Sequence, residues 1–276
     1  MSLRHEQNKT IYYTYNDNPK LPVIIMIHGF RGTHHGLDLI AKDLNNYRVI
    51  VPDIPGFGET TPLTDEHSID NYVTWLAKFI KDLNLSTPPV LLGHSFGSII
   101  ASSYASKYPT TITKLILVNP IGAPALKGPK AIMTQLAVAY YWLGRKLPEK
   151  PATMLLSAKP IVLVMSSAMA KTRNKDLRKF IHSQHLQHFS SFTNRQVVAE
   201  AFKASIHNTV RDTAADVPVP TLLIAGDIDD ITPLNKQREL NQMFPDSKLE
   251  VISGVGHLTH YETPDAVAKL IDKFIR

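Results

Sequence analysis

The sequence predicts an α/β protein: a mostly parallel sheet with helices on both faces, interrupted once by a helical insertion. Three observations lead there. Short apolar runs alternate with amphipathic helical patterns along 10–120 and again along 221–275, the signature of parallel strands joined by helical crossovers. One junction, near 90–104, sets an apolar run, a glycine-flanked turn and helix-spaced apolar residues directly end to end. Finally, 121–215 breaks the rhythm: it has helical patterns, no strand pattern, and 14 Lys and Arg against 4 Asp and Glu in a chain whose remainder is net acidic. A length of 276 residues suits one core domain, 1–120 with 216–276, carrying that insertion.

The elements follow in order. Residues 10–15, TIYYTY, read as a strand, and Asn16-Asp17-Asn18-Pro19 turns the chain. Pro22 to Ile27 is continuously apolar, as a strand buried on both faces must be. Residues 36–46 carry Leu37, Ile40, Ala41 and Leu44 at helical spacing. Arg48–Val51 is a strand, and the loop Pro52 to Gly58 follows it. In 69–84, Ile69, Val73, Leu76, Phe79, Ile80 and Leu83 recur every three or four positions, an amphipathic helix. Val90–Leu92 and Lys114–Val118 are strands on either side of the helix that begins after Ser95. Helices are predicted at 131–144, 151–170, 174–190 and 194–207. The strand pattern resumes at Thr221–Gly226, then a helix at 233–243, the strand Leu249–Ile252 and a closing helix over 264–275.

Gly93-His94-Ser95-Phe96-Gly97 matches G-x-S-x-G in the strand–turn–helix setting that gives this motif meaning. A residue at so sharp a turn needs small neighbours two positions away, which Gly93 and Gly97 supply. The turn lifts the Ser95 hydroxyl over a helix N-terminus, where free N–H groups and the positive end of the dipole stabilise an oxyanion. A serine hydroxyl is a poor nucleophile near neutrality. It needs a histidine within hydrogen-bond reach, and an acid to fix that histidine's tautomer. His257, between the last core strand and the closing helix, is the candidate base, with Gly254 and Gly256 giving its loop room to bend; His260 is the competitor. Asp227, Asp229 and Asp230 all follow the penultimate strand. Asp227, at the strand end, suits bonding to loop N–H groups, whereas Asp229 or Asp230 has the reach to be the acid.

Taken together, the His28-Gly29-Phe30 loop, the loop with Asp53 and Pro55-Gly56-Phe57-Gly58, the Gly93–Gly97 elbow, the Gly226…Asp229…Pro233 loop and Gly256-His257 with Glu262 and Pro264 resemble the α/β-hydrolase superfamily in its capped, serine-nucleophile form. The resemblance covers 21–120 and 216–275 as core and 121–215 as cap. It implies an eight-stranded sheet, Asp229 as the triad acid, and an oxyanion hole from the backbone N–H groups of Phe30 and Phe96. It also implies that no cofactor is needed. Ser98 departs from the pattern, which often has glycine there. The activity implied is cleavage of carboxylic esters with small to medium acyl groups through an acyl-enzyme. Carbon–carbon (diketone) hydrolysis or lactone opening on the same layout is the alternative, and a non-catalytic binding protein of this fold is the reading from another class.

Other residues are assigned humbler places. His28 and His94 are expected to hydrogen-bond loop backbone, and Asp53 to support its turn. Arg31, His34 and His35 are placed near the mouth. His182, His185 and His188 recur every third residue on a helix without acidic partners, which reads as a solvated cap face and no metal site. Val138, Tyr141 and Trp142 are candidate acyl-pocket lining.

The absence of cysteine excludes disulfides, thiolate catalysis and Cys-ligated metal. The N-terminal residues carry no apolar core like that of a signal peptide, and the apolar stretches 133–144 and 160–170 are too short to span a bilayer, so a cytoplasmic location is expected. No aromatic–basic interleaving points to nucleic acid. The expected partner is a small ester-like molecule, for a monomer or homodimer. The cap's positive surplus either solubilises it, the simpler account, or makes weak contact with an anionic membrane surface.

Overall fold

The computed structural model describes residues 2–123 and 131–276, with side chains from 135 onward in the second stretch. Residues 124–130 of the insertion lie outside the described residues. The chain runs β1 (Ser2–Gln7), β2 (Thr10–Tyr15), β3 (Val23–Ile27), α1 (Asp38–Asp43), β4 (Arg48–Pro52), α2 (Ile69–Asp82), β5 (Val90–His94), α3 (Phe96–Lys107) and β6 (Lys114–Val118). Helices α4 (Ala131–Lys146), α5 (Glu149–Leu156), α6 (Lys159–Met169), α7 (Lys175–His188) and α8 (Arg195–His207) come next. The core then closes with β7 (Thr221–Gly226), α9 (Leu234–Asn241), β8 (Ser247–Ile252), α10 (Thr259–Glu262) and α11 (Pro264–Ile275).

All eight strands form one sheet in the order β1-β2-β4-β3-β5-β6-β7-β8. Only β2 runs against its neighbours; β4, β3, β5, β6, β7 and β8 pair in parallel. The continuous apolar runs are explained by burial on both faces. Along β3, Val23, Ile25 and Ile27 pack toward α2 and α3, while Ile24 and Met26 pack toward α1 and α11. Leu115 and Leu117 of β6 alternate with Ile116 and Val118 in the same way. Because one face of α2 fills with Val73, Leu76 and Phe79, and Ser68 caps its first turn by accepting the Asn71 N–H at 3.3 Å, this helix was plain in the sequence.

Three differences from expectation have physical reasons. The eighth strand is β1, whose charged sequence has half-exposed and exposed positions because it forms the sheet's edge against β2. The single helix expected over 151–170 is two: α5 stops at Leu156, and α6 starts at Lys159-Pro160, where the proline suits a first turn. The expected helix 36–46 is a short 3-10 turn over His34–Leu37 followed by α1. Hydropathy also misled on length. Glu149–Met169, spanning α5 and α6, is long and apolar enough by length and composition to cross a bilayer, although the break at Ser157-Ala158 divides it.

Candidate active site

Strand β5 ends in a turn that leaves Ser95 at φ 52°, ψ −118°, a left-handed conformation that a non-glycine residue adopts only under strain. The flanking glycines are forced. A Cβ on Gly93 would sit 2.3 Å from the Gly97 carbonyl oxygen, and one on Gly97 would sit 2.3 Å from that of Ile27 and 2.6 Å from that of His28. Ser98 turns out to brace this turn. Its Oγ donates to the Ser95 carbonyl at 2.5 Å and accepts the Ile121 N–H at 3.1 Å, tying the elbow to the loop after β6.

The structure brings Ser95, His257 and Asp229 into one line. His257 Nε2 lies 2.9 Å from Ser95 Oγ, and His257 Nδ1 lies 2.8 Å from Asp229 Oδ2. His260 makes no such contact; it is buried with its ring 4.2 Å from that of His94. Of the three aspartates, Asp227 accepts the Gly254 N–H at 2.7 Å, as its place at the strand end led one to expect, and Asp230 pairs with Lys171 at 2.5 Å. Asp229 is the one facing His257.

Asp229 is held by more than the histidine. Its Oδ1 accepts the Ile231 and Thr232 N–H groups at 2.7 and 2.9 Å; its Oδ2 accepts Asn119 Nδ2 at 3.0 Å and the Thr232 hydroxyl. Burial opposes its charge, but the His257 charge and these hydrogen bonds outweigh burial and hold the carboxyl well below the usual carboxylate range. Asn119, itself at φ 45°, also donates to the Gly256 carbonyl at 3.3 Å and accepts the Thr259 hydroxyl at 2.5 Å, so one buried side chain links the acid loop to the histidine loop. Neither Asn119 nor Thr232 had been singled out: Asn119-Pro120 reads only as a strand end, and Thr232 stands in no pattern.

The backbone N–H groups of Phe30 and Phe96 have no hydrogen-bond partner among the described residues, and both residues border the cavity above Ser95. Their rings pack edge to face at 6.3 Å, with Phe30 also against Phe57 and Tyr141. His28 accepts the Ile54 N–H at Nε2 (2.9 Å) and contacts the Gly29 carbonyl through Nδ1 (2.9 Å), locking the Phe30 loop to the Asp53 loop; burial lowers its pKa to about 4. Asp53 accepts the His34 and Glu59 N–H groups at 2.7 and 3.0 Å, the turn-supporting part expected of it. His94 is kept neutral by burial and by the neighbouring His257, with a pKa lowered to about 3.

A cavity of about 720 Å³ opens over Ser95. Core and insertion both line it: Phe30, Leu258 and Ile231 from one, Tyr141, Met165, Met169, Phe189 and Phe202 from the other. Three placements are corrected here. Trp142 points outward, 58% exposed, because Tyr141 and Gly144 take the inward face of α4. The α7 histidines do not form a solvated face. His182 and His185 both bond Ser166 Oγ at 2.7 Å, and the His188 ring lies 3.9 Å from that of His35, since this face of α7 packs on α6 and the core. Among the described residues no group of three His, Cys, Asp or Glu is arranged to hold a metal. Arg31, expected at the mouth, is fully buried.

Eight strands, a strained serine elbow and a buried Asp–His pair define an α/β hydrolase. Residues 22–264 match the family model described as the alpha/beta hydrolase fold, and the chain belongs to that family. Among its relatives, Lipase 3 of Moraxella sp. (strain TA144) is 25% identical over 265 residues, covering 95% of this chain and 79% of the relative. Monoacylglycerol lipase ABHD6 of Mus musculus is 27% identical over 284 residues, covering 98% and 81%. A thermophilic esterase from Thermogutta terrifontis superposes with a TM-score of 0.77 at 23% identity over 100% of this chain and 98% of the other. The enol-lactonase from Burkholderia xenovorans LB400 superposes at 0.80 with 16% identity over 99% of both. At such identities the superpositions speak for the fold alone.

Proposed function

We propose that this hydrolase cleaves carboxylic esters with small to medium apolar acyl groups, using Ser95, His257 and Asp229 as its catalytic triad. The observation that carries the reading is the continuous Ser95–His257–Asp229 contact at the floor of an apolar cavity. Ser95 Oγ attacks the ester carbonyl as its proton passes to His257 Nε2; Asp229 stabilises the imidazolium through Nδ1. The oxyanion sits against the Phe30 and Phe96 N–H groups. His257 then protonates the departing alkoxide, leaving Ser95 acylated. Water, deprotonated by the same imidazole, releases the acid and restores the serine.

Ester cleavage is favoured over an activity on carboxylate-bearing substrates by what happens to the cations on the cavity wall. Arg31 is out of reach, and Lys236 Nζ is committed to Glu239 at 2.8 and 3.0 Å. A neutral ester leaves no charge unpaired there. Lipase names among the relatives agree with this preference.

The insertion also fits the lid and docking side of such an enzyme. Leu136, Trp142 and Leu143 project from the outer face of α4 at 61%, 58% and 42% exposure, beside exposed Arg145 and Lys146. That combination of apolar wedge and positive rim matches an anionic lipid surface.

The test is hydrolysis of p-nitrophenyl butyrate by the wild type and by Ser95→Ala, with mass spectrometry after fluorophosphonate treatment. We expect one phosphonate on Ser95 and loss of turnover in the variant; equal rates in the two proteins refute the reading. Trp142→Glu should reduce sedimentation with phosphatidylglycerol vesicles while leaving turnover of the soluble ester intact. Equal sedimentation of both proteins removes the docking surface only.

A further inference from the structure

Arg31 follows Phe30 in the loop that borders the cavity, and it holds an unusual position. Its backbone lies at φ 58°, unfavourable for a side-chain-bearing residue, and its guanidinium is entirely buried. A buried cation is normally matched by a carboxylate. Among the described residues this one is matched instead by carbonyls and rings. Nη2 donates to the Leu156 carbonyl at 2.6 Å, Nε to the Phe189 carbonyl at 3.1 Å, and Nη1 lies 3.4 Å from the Tyr141 hydroxyl. The guanidinium carbon lies 4.4 Å from the Phe189 ring centroid and 5.5 Å from that of Phe192.

Those carbonyls are not arbitrary. Leu156 is the last residue of α5 and Phe189 caps the C-terminus of α7. Helix C-termini present unpaired carbonyls and the negative end of the dipole. Two such ends, from separate helices of the insertion, therefore converge on one cation that belongs to the core. Tyr140 reinforces the first by donating to the Leu155 and Leu156 carbonyls at 3.2 and 3.3 Å. The peptide bond joining Phe30 to Arg31 places the anchored side chain one residue from a proposed oxyanion donor.

We propose that Arg31 is a positioning residue: its guanidinium clamps the α5 and α7 ends onto the Phe30 loop, so that seating the helical insertion and aiming the Phe30 N–H at the oxyanion are one event. This rests on the acyl-transfer reading above. A planar fork with five donors can serve two carbonyls and stack on a ring at once, which an ammonium cannot. The strained φ persists because these contacts over-determine it.

The test uses Arg31→Gly and Arg31→Lys with p-nitrophenyl butyrate, after Ser95-dependent turnover of the wild type has been established. Glycine accepts the positive φ, so Arg31→Gly introduces no strain there, and rescue by an added guanidinium separates the lost side chain from the freer backbone. We expect kcat to fall about 100-fold with KM changed far less, as a displaced oxyanion donor demands. Fluorophosphonate labelling of Ser95 should slow in parallel. Methylguanidinium at non-denaturing concentration should restore part of kcat in Arg31→Gly, whereas methylammonium should not, and Arg31→Lys should stay impaired. Folded Arg31→Gly with wild-type kcat, or a loss that methylguanidinium leaves untouched, overturns the clamp. So does failure of both variants to fold, which places the guanidinium in the folding core instead. If the wild type itself shows no Ser95-dependent turnover, the acyl-transfer reading falls first.

Discussion

Asp229→Asn isolates the proposed acid with almost no change of shape, and the hydrogen bonds around it define what must happen. Asp229 Oδ2 accepts from His257, Asn119 and Thr232, while Oδ1 accepts two backbone N–H groups. An asparagine has one oxygen. If its NH₂ takes the Oδ2 position, it confronts three donors; if it flips, it confronts the Ile231 and Thr232 N–H groups, which cannot rotate away. The less damaging solution keeps the backbone bonds and turns the His257 proton from Nδ1 to Nε2. The imidazole then presents a donor to Ser95 Oγ at 2.9 Å where the reaction needs an acceptor. The same change in a serine-protease triad lowers kcat about 10⁴-fold, equivalent to about 5.5 kcal/mol at the transition state. We expect a loss of that order for p-nitrophenyl butyrate at pH 7.5, with tryptophan fluorescence reporting an intact fold. Asp230→Asn is the matched control. Its carboxylate pairs with Lys171 at the surface, 58% exposed, and its kcat should stay within about twofold of the wild type. A kcat for Asp229→Asn above a tenth of the wild-type value, or a large loss for Asp230→Asn, refutes the assignment.

Two other predictions concern stability. Gly97→Ala drives a Cβ into the Ile27 and His28 carbonyls and should destabilise the fold by about 3 kcal/mol or more. Gly254→Ala, at φ 76° but with nothing within 4 Å of its Cβ, should lose only about 1 kcal/mol of backbone strain energy. Urea midpoints rank the two, and equal midpoints contradict the elbow packing. Stability should also fall on acidification below neutrality. His28 and His185 are lowered to about 4 and His94 to about 3 by burial, so each is neutral when folded and protonated when unfolded between about pH 6.5 and its folded value. The unfolded chain binds more protons in that window. Each group therefore removes up to about 1.4 kcal/mol per pH unit as pH drops, before the depressed carboxyl of Asp229 titrates at still lower pH. A urea midpoint unchanged between pH 7 and pH 5 refutes this account.

What the sequence disclosed depends on whether the constraint acts locally. Gly93 and Gly97 are legible because the turn that needs them lies within the same five residues. The strands β3, β5 and β6 are legible because burial on both faces leaves no place for a polar residue. Strand β1 was missed because an edge strand tolerates Arg4, His5 and Glu6, which carry no apolar alternation. Asn119 was missed for a different reason: its partners Asp229, Gly256 and Thr259 lie more than a hundred positions away, so nothing near it in the chain records its task. The proposed acid needed the resemblance, since reach alone allowed Asp229 or Asp230, and only the fold shows which carboxylate turns toward His257.

The insertion was the least legible part, and its charge explains why. A surplus of Lys and Arg invites the assumption that every basic or titratable group there faces water, yet His185 is buried against Ser166 and His188 meets His35 across the cavity wall. Conversely, apolar Trp142 and Leu143 face out. Both inversions follow from one geometric fact. The helices of the insertion pack on one another as well as on the core and line a cavity between them, so a polar side chain such as His185 can be buried at a helix–helix contact while apolar Trp142 is left on the outside. The core obeys the rule that apolar residues go in, strand by strand, which is why periodicity located it. Acid–base pairs such as Lys171 with Asp230 and Lys203 with Glu66 join the insertion to the core, but the buried contact of Arg31 with the helix ends at Leu156 and Phe189 pairs a side chain with backbone, so no acidic residue in the sequence records it.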